Sequence, residues 1–80
     1  MTYHVKCPLS GKTFDFENLV AIRRFIIAIM KREPRCEKKI RIMDGKRLWG
    51  TMWRENGLIL YRTNGSRKVW ILNDNGTRRV

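Results

Sequence analysis

The sequence predicts an α+β fold in which one buried helix packs on an antiparallel β-meander of four or five strands, after an N-terminal strand. Two observations carry this prediction: a nearly continuous apolar segment at 16–31, and a series of Asn-Gly and Asp-Gly dipeptides in the second half of the chain. A chain of 80 residues is short enough to predict a single domain spanning 1–80. Within it, 1–34 supply the strand and the helix, and 35–80 supply the meander.

The N-terminal elements follow from hydrophobic periodicity. Polar and apolar side chains alternate over 2–7, which is typical of a half-buried strand. The apolar side chains of 16–31 cover most of the circumference of a helix, so we expect this helix to be covered on more than one side. Thr13 or Asp15 is expected to cap its N-terminus, and Pro34 to end it.

The meander follows from the four dipeptides, because Asn-Gly and Asp-Gly supply the positive φ angles of two-residue hairpin turns. They lie at 44–45, 56–57, 64–65 and 75–76. The strands predicted between and around them are 38–43, 46–55, 58–63, 66–74 and 77–80.

Counting outward from each turn assigns side chains to the two faces of the sheet. The expected core face carries Ile40, Ile42, Trp49, Thr51, Trp53, Leu58, Leu60, Val69 and Ile71. The expected opposite face carries Lys39, Arg41, Met43, Lys46, Leu48, Gly50, Met52, Arg54, Ile59, Tyr61, Thr63, Lys68, Trp70 and Leu72. A bulge near Gly50 would exchange the faces of the strand beyond it.

The second face mixes aromatic and basic side chains, and its apolar members need a covering. The sheet could curl towards a barrel, or the N-terminal segment could fold over this face. Alternatively the face binds nucleic acid, with Tyr61 and Trp70 stacking on bases while Arg41, Arg54 and Lys68 contact phosphates. A third alternative is a protein interface, because aromatic, Met and Arg side chains are also enriched there.

The charge favours a polyanionic partner. The chain has 18 Lys and Arg against 7 Asp and Glu, a net charge of +11, and a pI near 10.7. Residues 31–80 hold fourteen bases and five acids, which is +9 of that total. The sequence therefore predicts a nucleic-acid-binding protein, for DNA or RNA. The predicted phosphate contacts are Arg41, Lys46, Arg47, Arg54, Arg67 and Lys68, and the predicted stacking residues are Tyr61 and Trp70. The alternative is an interaction module or inhibitor that binds an acidic protein surface, as a monomer or a homodimer.

The sequence offers little for catalysis. His4 is the single histidine, so no Ser/His/Asp or Cys/His set is supported. Gly11-Lys12-Thr13 resembles the end of a phosphate-binding loop, but the glycine required five residues earlier is Lys6. We therefore expect no enzyme. The remaining enzymatic alternative is a metal-independent, toxin-like RNase that uses Arg54, Tyr61 and Lys68.

No metal or cofactor is expected. Cys7, Cys36 and His4 would give a metal three ligands, whereas structural zinc takes four. The chain has no apolar run of about eighteen residues and no signal-peptide pattern. These features predict a soluble, cytoplasmic protein with no membrane partner.

Overall fold

A six-stranded antiparallel sheet with one helix on one face forms the fold. The computed structural model describes residues 2–33 and 38–79. The elements are β1 (Tyr3–Lys6), β2 (Thr13–Phe16), α1 (Leu19–Arg32), β3 (Ile40–Asp44), β4 (Arg47–Glu55), β5 (Leu58–Thr63) and β6 (Trp70–Leu72). The strand order is β2-β1-β3-β4-β5-β6, and every neighbouring pair is antiparallel. The predicted α+β fold is confirmed, with a slightly different number of strands.

The additional strand is β2, in the segment where the sequence predicted a helix cap. Thr13, Phe14, Asp15 and Phe16 alternate in polarity and pair with β1, and Phe14 and Phe16 both contact the ring of Phe25 on α1. The prediction that Thr13 or Asp15 caps the helix is therefore wrong, because both residues belong to a strand.

Helix α1 begins three residues later than predicted. Its N-cap is Asn18, whose side-chain oxygen accepts a hydrogen bond of 2.7 Å from the backbone N–H of Val20. At its C-terminus Glu33 has left helical geometry, with φ −131° and ψ 83°. This agrees with a proline at the next position, although Pro34 itself lies outside the described residues.

The helix supplies one side of the hydrophobic core. Its buried residues are Ile22, Ile26, Ile27, Ile29 and Met30. The face of the sheet that packs against them, called the inner face here, contributes Tyr3, Val5, Ile40, Ile42, Met52, Ile59, Tyr61 and Leu72. The other side of the sheet is called the outer face.

A β-bulge decides which side chains of β4 lie on the inner face. Ile42 pairs with Gly50 while Met43 pairs with Leu48, so Trp49 is an extra residue in β4. Because side chains alternate along a strand, this one-residue shift exchanges the faces of the rest of β4 relative to β3. The predicted core assignment of Ile40 and Ile42 is confirmed, since both are buried.

Trp49 packs against the core and Arg41 lies on the opposite face, as predicted, but the predicted faces of β4 beyond the bulge, of β5 and of β6 are wrong, and the bulge is the reason. β5 and β6 follow the register of β4, so their faces are exchanged with it. Thr51, Trp53, Leu58, Leu60 and Ile71 were expected in the core but lie on the outer face. Met52, Ile59, Tyr61, Trp70 and Leu72 were expected on the second face but lie under the helix.

The last part of the meander is shorter than predicted. Tyr61 pairs with Trp70 rather than with Lys68, because the connection after β5 spans 64–69 instead of a two-residue turn. The expected pairing of Met52 with Tyr61 is confirmed. The predicted strand 77–80 is reduced to one bridge between Leu72 and Arg78, and Val80 lies outside the described residues.

Candidate nucleic-acid interface

An apolar row crosses the outer face through three neighbouring strands. Trp53 of β4 pairs with Leu60 of β5, which pairs with Ile71 of β6. Side chains directly opposite one another on the same face lie in contact distance, so the three form a continuous row. Ile71 is 36% exposed, and Trp53 and Leu60 are half-buried. This apolar row presents an indole ring to solvent on the side of the sheet away from α1.

A basic row runs beside it. Arg41 of β3 pairs with Thr51, and Thr51 pairs with Arg62 of β5, so both arginines lie on the outer face and both are exposed. Lys6 continues this row on β1, where it shares a groove with Arg41. Lys39 links the two rows, because its ammonium nitrogen lies 5.4 Å from the centre of the Trp53 ring.

The groove between β1 and β3 concentrates the charge further. It has a volume of about 600 Å³, and among the described residues its lining includes four cationic side chains and no carboxylate. Those cations are Lys6, Lys38, Lys39 and Arg41. An anion in this groove would meet positive charge from both walls, and it would lie next to the apolar row through Lys39.

Acidic side chains of the outer face lie at its edges. Asp15 belongs to the edge strand β2, where its carboxylate is 2.7 Å from the Nδ1 of His4. Glu55 is the last residue of β4. Between these two positions the basic row carries no acidic residue, so the middle of the outer face is positive.

Tyr61 and Trp70, the two predicted stacking residues, lie on the inner face. Tyr61 is 2% exposed, and the guanidinium of Arg23 lies 4.7 Å from its ring centre. Its ring is therefore not available to stack on a base in the folded protein. Trp70 is half-buried, with Lys68 and Arg78 already against its ring at 4.2 and 4.0 Å.

The predicted phosphate contacts divide into three groups. Arg41 lies on the outer face as described, while Arg54 is half-buried near the end of β4, paired with the inner-face residue Ile59. The remaining four are exposed: Lys46, Arg47, Arg67 and Lys68. The β3–β4 and β5–β6 connections leave the same end of the sheet, because β4 and β5 are antiparallel neighbours. These four residues therefore lie towards the same end of the sheet, and together we call them the basic rim.

The outer-face residues that were not among the predicted contacts are Lys6, Lys39, Trp53, Leu60, Arg62 and Ile71. The sequence does contain a signal for Trp53 and Arg62, because both lie in segments predicted as strands, where alternate side chains share one face. Trp53 was missed because unbroken counting placed it on the core face. The counting assumed regular strands and did not include the bulge at Trp49.

The loop between β1 and β2 holds the described free cysteine, Cys7. Burial raises the pKa of its thiol, but hydrogen bonds from the Ser10 side chain and from the backbone at Ser10 and Leu9 lower it, as does the nearby charge of Arg32. The net effect is a pKa below the usual value. Cys36, which was considered with Cys7 and His4 as a metal ligand, lies outside the described residues.

Residues 2–33 and 38–79 contain no group of three or more His, Cys, Asp or Glu side chains that could hold a metal ion. In the same residues, no helix is long and apolar enough to cross a membrane. Comparisons of this chain with protein-family models, with curated proteins and with solved structures find no match.

Proposed function

We propose that this protein binds single-stranded nucleic acid on the outer face of its sheet, without catalysing a reaction. The observation that carries the proposal is the apolar row of Trp53, Leu60 and Ile71 lying directly beside cationic side chains. A nucleotide joins a flat apolar base to a phosphate, and this arrangement offers a partner to each part.

The apolar row supplies the contacts to bases. Trp53 lies opposite Leu60 on the outer face, so the two side chains are neighbours there. Stacking of a base on an aromatic side chain contributes about 1–3 kcal/mol and tolerates any base. A sheet surface of this kind suits unpaired bases, because the bases of a duplex are stacked on each other and show only their edges.

The basic row and the groove supply the contacts to phosphates. Arg41 and Lys6 line the groove, and Arg62 extends the row towards β6. Arginine meets phosphate oxygens with two parallel hydrogen bonds, and lysine meets them as a point charge. The basic rim at the end of the sheet would provide further phosphate contacts for a nucleic-acid strand that extends past the outer face.

The test is an equilibrium titration with fluorescently labelled oligonucleotides of about twenty nucleotides, single-stranded and duplex, at about 50 mM salt. We expect the single strand to bind more tightly than the duplex. Trp53→Ala should weaken binding about 5- to 150-fold, the equivalent of one lost stacking contact, whereas Trp53→Phe should retain most of the affinity.

The salt dependence tests the phosphate contacts. The logarithm of affinity should fall linearly with the logarithm of salt concentration, and Arg41→Gln should reduce the slope by about 0.7 for a single strand. Lys31→Gln is the matched control, because it removes one exposed charge from α1 rather than from the outer face. It should leave Trp53-dependent binding unchanged.

Two results would contradict the proposal. One is the absence of any oligonucleotide binding at about 50 mM salt. The other is an unchanged affinity in Trp53→Ala together with equal losses in Lys31→Gln and Arg41→Gln, which would mean that net charge alone attracts the ligand. In either case the acidic protein surface predicted as the alternative partner becomes the better explanation of the outer face.

A further inference from the structure

A second cationic cluster lies on the inner face, away from the outer-face site. Trp70 of β6 pairs directly with Tyr61 of β5, so their side chains are neighbours. Against these two rings lie three cations: Arg23 is 4.7 Å from the Tyr61 ring centre, and Lys68 and Arg78 are 4.2 and 4.0 Å from the Trp70 ring centre. We call these five residues the Trp70 cluster.

The three cations come from separate parts of the chain. Arg23 belongs to the first half of α1, Lys68 precedes β6, and Arg78 follows the last turn. The last turn packs closely against α1 here, because a Cβ added at Gly76 would lie 3.1 Å from the Cβ of Arg23. The fold thus brings three cations to two neighbouring rings, although the three are not adjacent in the sequence.

The positive charge of the cluster has no acidic partner within the described ranges. None of the three cations forms an ion pair with a carboxylate there, where the ion pair observed is His4 with Asp15. The Nε of Arg23 is buried and has no hydrogen-bond partner among the same residues. Three cations around two neighbouring rings leave the cluster with unbalanced positive charge, and the buried unpaired donor of Arg23 is costly, so an anion bound here would reduce both costs.

An arginine side chain that stacks on an aromatic ring can still bind an anion through its N–H groups. A guanidinium that lies on an aromatic ring uses its flat face for that contact, while its N–H groups point outward in its own plane. Arg78 therefore keeps the edge that donates two parallel hydrogen bonds to phosphate oxygens. Because the ring already limits its conformations, less entropy is lost when a ligand binds.

We propose that the Trp70 cluster binds a phosphate group, with Arg78 donating to two of its oxygens, Lys68 supplying a point charge and Arg23 the inner contact. The phosphate belongs either to a small phosphorylated molecule or to the backbone of a nucleic acid. The rings of this site lie on the opposite side of the sheet from Trp53, although Lys68 also belongs to the basic rim.

The test is an NMR titration of the full chain with pyrophosphate, following the side-chain Nε–H signals of Arg23 and Arg78 and the indole N–H signals of the tryptophans. We expect saturable shifts for Arg23, Arg78 and Trp70, with little change at Trp53. Arg78→Gln and Lys68→Gln should each weaken binding about tenfold, the loss expected for one charge-assisted contact. Arg24→Gln, which removes the exposed neighbour of Arg23 on the same helix, should not.

Shifts that grow linearly with concentration at many basic residues would overturn the proposal, as would equal effects of Arg78→Gln and Arg24→Gln. Backbone spectra of each variant verify that the fold is kept. A short single-stranded oligonucleotide that displaces pyrophosphate supports the site and identifies nucleic acid as the source of the phosphate. Failure to displace it supports the site for a small phosphorylated molecule. Trp53→Ala should leave pyrophosphate binding intact, so this proposal and the outer-face proposal succeed or fail separately.

Discussion

Replacing Gly50 by alanine tests the register that decides both faces of the sheet. A Cβ added at Gly50 would lie 2.9 Å from the backbone carbonyl oxygen of Arg62 and 3.3 Å from the Cε2 of Tyr61. The first distance is shorter than non-bonded carbon and oxygen atoms tolerate, and the carbonyl belongs to paired β5 backbone that cannot move alone. Tyr61 is itself packed under the helix, so its ring has little room to retreat.

The expected cost follows from two opposing effects. Overpacking a well-filled site costs about 1–3 kcal/mol. Replacing glycine by alanine also restricts the unfolded chain, which stabilises the folded state by about 0.4–1 kcal/mol. We therefore expect Gly50→Ala to lower the free energy of unfolding by about 1–2 kcal/mol. For a domain of this size each kcal/mol corresponds to a fall in Tm of about 4–8 °C.

The assay is urea unfolding followed by circular dichroism, which gives the free energy of unfolding for a two-state domain. Thr51→Val is the matched control, because the neighbouring side chain points to the outer face and keeps its branched shape. It should change stability by less than about 0.5 kcal/mol. A Gly50→Ala protein as stable as the parent, or more stable, would mean that Gly50 does not face Tyr61 and that the bulge at Trp49 is misplaced.

Three further predictions concern the core, the helix cap and the cysteine. Tyr61→Ala should destabilise the protein by about 3–5 kcal/mol in the same unfolding assay, because the ring is buried; a cost below about 1 kcal/mol would place Tyr61 at the surface. Asn18→Ala should cost about 1 kcal/mol through loss of the bond to the Val20 N–H, and an unchanged stability would refute this cap. In a Cys36→Ser background, the alkylation rate of Cys7 should reach half its maximum at a lower pH than for a model thiol, since its pKa is lowered and the thiolate is the reactive form. A midpoint at or above that of the model thiol would contradict this effect.

The elements of this fold were largely predictable because their signals are local. Helix α1 is marked by its apolar periodicity, and the hairpin between β4 and β5 has the predicted pairing of Glu55 with Leu58 around Asn56-Gly57. Asn56 and Gly57 both have positive φ, as a turn of this kind requires. Strand β2 was missed because Thr13 and Asp15 are also good helix caps, and the pairing with β1 that decides between the two roles is not a local property.

The candidate site was less predictable, because the sheet is apolar on both faces. Along β4 and β5, Met52 and Tyr61 alternate with Trp53 and Leu60, so hydrophobicity alone does not say which set faces the core. The helix covers one set, and the bulge at Trp49 selects it by aligning Met52 with buried Ile40. The other set is left as the apolar row, which the packing of the described residues does not require. A strand that needed only to cover its own core could have polar residues at those outer positions, and the position of Trp53 beside Lys39 is the reason that we propose a ligand there.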